Sequence, residues 1–166
     1  MSIATVLDSD LFRKTCGRFA TGIAIATVST AGGVPFGLTV NSFTSVSAAP
    51  PLVLICIDYR STVLAHFRSS AFYGINVLSE DQRELSVRFS ERQPDRFDGL
   101  DWRHGETGVP LIANCLATME CSVVQTVEAG DHAIFIGEVV RADYRDGRPL
   151  LYFGSQYETI GNGASR

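Results

Sequence analysis

The chain has 166 residues, 45% of them hydrophobic and 19% charged, with a formal net charge of −4. That length fits one domain with a sizeable core. The acidic balance and the lack of any Lys/Arg cluster exclude a surface built for nucleic acid. Charge is scarcer than the soluble average of roughly a quarter, which points to a surface partly covered by a partner subunit.

In chain order, Asp8, Ser9 and Asp10 offer an N-cap to a helix running to about residue 18. Phe12, Cys16 and Phe19 fall on one apolar face of it. Residues 22–30 read as a strand, with Ile23, Ile25 and Thr27 on one face and Ala24, Ala26 and Val28 on the other. Ala31-Gly32-Gly33 signals a hairpin, and residues 34–41 return as a second strand.

The stretch Gly37-Leu38-Thr39-Val40-Asn41-Ser42-Phe43-Thr44-Ser45-Val46-Ser47 then places a hydroxyl or amide at about every second position. It leads through Pro50-Pro51 into the apolar run 52–57, which reads as a buried strand. Such polar groups either satisfy local turns or line a polar ligand site. Neutral donors and backbone N–H groups suit a phosphate or a heteroaromatic edge.

Beyond a turn at 58–62, a short helix is expected over 62–69 and a strand over 71–78, interrupted by Asn76. Ser79 and Gln82 form a capping box that opens a helix to about residue 90. Residues 93–108 are polar and turn-rich, a surface excursion with one helical turn near 95–97. Two long strands, 115–127 and 132–144, follow around a tight connection. Asp146-Gly147 is a hairpin signal, residues 150–153 are a last strand, and 161–166 read as a disordered tail. About seven strands with three short helices give a mainly β domain over residues 1–160, with an antiparallel barrel as its architecture.

Cys16, Cys56, Cys115 and Cys121 form no Cys-x-x-Cys pair and read as small buried hydrophobes. His66, His104 and His132 lack zinc-site spacing, so no metal is expected. With no signal peptide and no apolar run long enough for a bilayer, a reduced cytoplasmic protein is expected, with no membrane partner. Dinucleotide-fold glycines, a phosphate loop and a serine-hydrolase elbow are all missing.

His132, in Gly130-Asp131-His132, sits at a tight turn where it either orients a cofactor and shuttles a proton or satisfies a turn carbonyl. Arg88 either grips a phosphate or complements a helix C-terminus. Asn76 needs partners inside its strand, from a cofactor or a neighbouring loop. Tyr152, Phe153 and Tyr157 either stack on a flat ligand or fill the core.

From about residue 12 to 157 the chain resembles the short-chain flavin reductases, the reductase components of two-component flavin-dependent monooxygenases. The likeness rests on the 37–47 stretch with Pro50-Pro51, on Ile75-Asn76-Val77-Leu78, on Arg88-Phe89-Ser90, and on Gly130-Asp131-His132 before a strand ending Gly137-Glu138-Val139. The resemblance implies an FMN-binding split β-barrel, a homodimer, and reduction of FMN or FAD by NADH or alternatively NADPH. It implies delivery of reduced flavin to a partner monooxygenase by diffusion or transient contact. The flavin wall would be Thr39, Val40, Asn41, Ser42, Ser45, Val46 and Ser47. Ser61, Thr62, Arg88, Phe89 and Ser90 would hold its phosphate end, Asn76 would support the site, and Tyr152 would lie at its edge. His132 would face the nicotinamide. Near the C-terminus the family's arginines are replaced by Phe153-Gly154-Ser155-Gln156. A flavin carrier or sensor without NADH turnover, a pyridoxamine-phosphate-oxidase-like flavoprotein and an assembly barrel are the rival readings.

Overall fold

The computed structural model describes residues 7–161. Helix α1 (Ser9–Cys16) starts at Asp8, whose side chain accepts from the Asp10 N–H, as its sequence requires. Strands β1 (Thr21–Gly22), β2 (Ala24–Ser29) and β3 (Pro35–Val40) follow, then β4 (Thr44–Ala48) and β5 (Pro51–Asp58). Helix α2 (Leu64–Ser69) leads to β6 (Phe72–Val77). The Ser79/Gln82 capping box opens a 3-10 turn, Glu80–Gln82, which runs into α3 (Arg83–Ser90). The chain closes with β7 (Trp102–His104), β8 (Pro110–Ile112), β9 (Ala117–Ala129), β10 (His132–Tyr144), β11 (Leu151–Phe153) and β12 (Gln156–Glu158).

Seven strands form one antiparallel sheet in the order β3-β2-β6-β9-β10-β5-β4. The outermost strands, β3 and β4, are separated in the chain only by residues 41–43. The two edges of the sheet must therefore curl together into a barrel. Closure is staggered. Val40 lies level with Ala24, Val77 and Ala117. The corner residue Ser42 instead bonds to Cys56, which lies level with Ile134 and Val127, ten residues further along β9. Such stagger tilts the strands around a barrel axis. Among the described residues no ladder joins β3 to β4, so the barrel is split there.

Ile55, Ile57, Tyr73, Ile75 and Phe135 fill the barrel, and α2 caps it with Leu64 and Phe67. A second core of Ile23, Ile25, Leu78, Phe89 and Phe97 lies between the outer face of β2 and α3. The two faces of β2 expected from its alternation thus feed two cores. Gly37 is required by this packing: a Cβ there would stand 3.0 Å from the Phe89 ring, where α3 crosses β3.

Several expectations are corrected. Strand β4 lies within the hydroxyl-rich stretch, whose small polar residues hid its alternation. Strands β7, β8 and β12 are too short to show periodicity. The 93–108 segment is anchored, with Arg96 and Phe97 buried, because Phe97 packs edge-on against Phe89 and Trp102. Asp146-Gly147 makes no hairpin. Pro149 bridges to Ser79, and β11 pairs with β1 and β12. Cys16 is exposed, as are Leu11 and Phe12, since among the described residues no other element covers α1. Cys56 is only half-buried, because it points out of the barrel between the inward Ile55 and Ile57. Of the expected tail, residues 162–166 lie outside the described residues.

Candidate functional site

The split in the barrel positions the hydroxyl-rich stretch. Ser42 pins the corner: its Oγ accepts from the Cys56 N–H at 2.9 Å and donates to the Cys56 carbonyl at 3.2 Å. Beyond the corner β4 pairs, among the described residues, on one side only, with β5. Its register slips between Ser45 and Ser47, which leaves Val46 unpaired and 48% exposed. An edge strand keeps a row of backbone N–H and C=O groups free. The side chains of Asn41, Ser45 and Ser47 also make no hydrogen bond to protein among the described residues.

Next to this edge, Thr39, Asn41, Ser86, Ser90, Tyr152 and Tyr157 line a cleft of about 290 Å³. Thr39 Oγ1 donates to the Ser86 carbonyl at 2.6 Å, tying β3 to α3. The Ser86 and Tyr157 hydroxyls are 3.0 Å apart. The rings of Tyr152 and Tyr157 meet edge-to-face, with centroids 5.6 Å apart, and form an aromatic wall. Val40 is buried in the barrel beneath the corner. Thus Thr39, Asn41, Ser90 and Tyr152 gather as expected. Ser86, hidden inside a helix, joins them unexpectedly. Tyr157 joins them too, where stacking on a flat ligand and filling the core were both open to it.

Asn76, Phe89, Arg88, Ser61 and Thr62 are not among the residues that line this cleft. Asn76 is fully buried, and its amide donates to the Ile25 carbonyl (3.1 Å) and Thr27 Oγ1 (3.3 Å). Its Oδ1 accepts from the Ile112 N–H at 2.7 Å, so it braces β2, β6 and β8 from within. Phe89 is core. Arg88 donates to the carbonyls of Asp95 and Asp98 at 3.0 and 2.6 Å, clamping the segment after α3 rather than facing the cleft. Ser61 and Thr62 lie before α2, off the cleft, with their hydroxyls unbonded among the described residues.

His132 opens β10 after Gly130, whose φ of +59° suits a tight turn. Its Nδ1 lies 2.6 Å from Asp131 Oδ1, and across the ladder it faces Asp58. Hydrogen bonds from the Arg60 side chain and backbone hold the Asp58 carboxyl well below the usual range. His132 is not part of the cleft lining. It is two residues from Ile134, the partner of Cys56, and so stands near the pinned corner. No three His, Cys, Asp or Glu side chains gather for a metal among the described residues.

A family model described as a flavin reductase like domain matches residues 16–161. The chain belongs to that family. This flavin reductase like chain is 45% identical over 150 residues to an FMN reductase (NADH), SmoA, of Agrobacterium fabrum, covering 90% of this chain and 85% of the relative. It is 37% identical over 158 residues to the reductase subunit HsaB of a flavin-dependent monooxygenase of Rhodococcus jostii, covering 95% and 80%. The Streptomyces globisporus NADH:FAD oxidoreductase SgcE6, solved with NAD and FAD fragments, superposes with a TM-score of 0.91 at 34% identity, covering 99% and 100%. The chain spans 44% of the length of a longer Rhizobium meliloti relative named "Probable flavin reductase".

The residues present fit a flavin. A heteroaromatic ring edge needs neutral donors and acceptors without their own partners, beside a flat wall. Asn41, Ser45, Ser47 and the open edge of β4 supply the first, and Tyr152 with Tyr157 the second.

Proposed function

We propose that this chain is an NADH-dependent flavin reductase that supplies reduced FMN or FAD to a partner flavin-dependent monooxygenase. The observation that carries the reading is the line of unpaired polar groups along the split edge beside the tyrosine-walled cleft. Bound flavin would supply the chemistry, as the acceptor of a hydride from reduced nicotinamide. The chain's own work is positional. Ser42 fixes the corner, and the free groups of Asn41, Ser45 and Ser47 orient the polar ring edge and favour growing negative charge there. His132, held by Asp131, meets the nicotinamide and aims it.

A second copy of this chain is the proposed cover for α1, where Leu11 and Phe12 are each 55% exposed. Four cysteines without disulfides suit a reducing, cytoplasmic setting. Among the described residues no helix is long and apolar enough to cross a membrane.

Anaerobic stopped-flow tests the function. Mixing the protein with NADH and excess FMN or FAD should bleach flavin absorbance faster than a protein-free control. Flavin binding without bleaching would replace the reductase with a carrier or sensor.

A further inference from the structure

The turn that carries His132 is fastened from outside the two cores. Residues 128–131 are exposed, and none of them belongs to either core. Only Gly130 and Asp131 lie between the ladder partners Ala129 and His132, so a shift at Glu128 passes directly to His132. Tyr59, the residue after β5, straps this turn at two points. Its N–H donates to the Asp131 carbonyl at 3.0 Å, and its hydroxyl donates to the Glu128 carboxylate. The strap starts beside Asp58, level with His132 on β10, and ends on β9, two strand spacings or roughly 10 Å away.

Arg68 of α2 closes the clamp. Its Nη2 donates to both Glu128 carboxylate oxygens, at 2.9 and 3.0 Å, and its guanidinium carbon lies 5.6 Å from the centre of the Tyr59 ring. The hydrogen bond to Glu128 raises the Tyr59 pKa above the ordinary phenol value, so the hydroxyl stays a donor. The Arg68 and Glu128 side chains are 48% and 56% exposed, and an ion pair so open to water adds little to global stability. What the three side chains do hold is the place of the turn relative to β5 and α2. A small error of aim at a reacting ring costs rate steeply.

We propose that Glu128 is a positioning residue for hydride transfer: clamped by Tyr59 and Arg68, it holds the 128–131 turn so that His132 is aimed at the nicotinamide. The proposal rests on the reading of His132 above. Glu128 acts only through His132, so its effect must vanish when the imidazole is absent.

A double-mutant cycle on the intact protein tests it, read as the rate of flavin bleaching by saturating NADH without oxygen. Glu128 is exposed, so its replacement leaves the fold intact. Glu128→Ala should slow bleaching about threefold in the wild-type background and not at all in the His132→Ala background. Glu128→Gln keeps an oxygen for the Tyr59 hydroxyl and should restore most of the rate. Equal slowing in both backgrounds would mean a generally loosened hairpin and overturns the proposal, as does full speed in Glu128→Ala. A His132→Ala variant as fast as wild type would instead fail the reading of His132, and the proposal with it. Should wild type not bleach flavin at all, the reductase reading fails, and the imidazole NMR signals of the three histidines decide the clamp. The signal lost in His132→Ala identifies His132. Glu128→Ala should shift that signal and leave those of His66 and His104 in place, and an unmoved His132 signal overturns the clamp.

Discussion

Asn41 and Asn76 both sit at the end of apolar strand sequence, and the fold uses them in opposite ways. Asn76 lies inside the wall of the barrel with three hydrogen bonds to protein. Asn41 stands at the split, exposed, with none among the described residues. Glu120 is like Asn76: its buried carboxylate accepts from the Glu106 and Thr107 N–H groups and the Thr107 hydroxyl. Ser45 and Ser47 are like Asn41. A polar side chain in a strand thus marks a ligand site only where the protein leaves its hydrogen bonds unmade.

The sharpest way to break this contrast is to remove the interior brace. Asn76→Leu strands the Ile25 carbonyl and the Ile112 N–H in the core and should cost about 3 kcal/mol of unfolding free energy. Urea unfolding measures it, and a loss below about 1 kcal/mol would sink the brace. Asn41→Ala should do the reverse. Its stability should stay within about 0.5 kcal/mol of wild type, while flavin affinity by fluorescence titration drops about tenfold. A stable variant with full affinity would take Asn41 out of the site.

His132→Ala should slow NADH-dependent bleaching by about fivefold without changing flavin affinity. Equal turnover in both proteins would leave His132 a turn residue. The smallest effect belongs to Glu120. Burial opposes its ionisation, but the Thr107 and Glu106 hydrogen bonds outweigh that and hold its carboxyl below the ordinary value. Its contribution is therefore full above about pH 4.5 and lost as pH falls from there. Glu120→Gln should lack that part of the acid slope in a pH series of thermal melts; an unchanged slope would assign it elsewhere.

The barrel was legible because its long strands alternate, and because Ala31-Gly32-Gly33 and the 128–131 connection mark their hairpins. The α3 entrance was legible from a two-residue cap. What stayed hidden was set by distant partners. Nothing local in Arg88-Phe89-Ser90 says that the first side chain turns to the Asp95 and Asp98 carbonyls, the second to the core and the third to the cleft. Strand β4 escaped notice because its partner is on one side only and its residues are small. Arg96 escaped because buried arginines are rare, and its setting depends on Gly37, far off in sequence.

The order of the large sheet also bears on how the chain is made. Strand β5 pairs with β4, its near neighbour, and with β10, which lies more than seventy residues downstream. During synthesis the early hairpin presents Leu52-Val53-Leu54-Ile55-Cys56-Ile57 with one edge open until β10 leaves the ribosome. An uncharged, β-prone segment with a bare edge is an aggregation hazard for as long as it waits. Pairs this far apart in sequence also form slowly. Yield in expression should therefore depend on translation speed and temperature through this one strand.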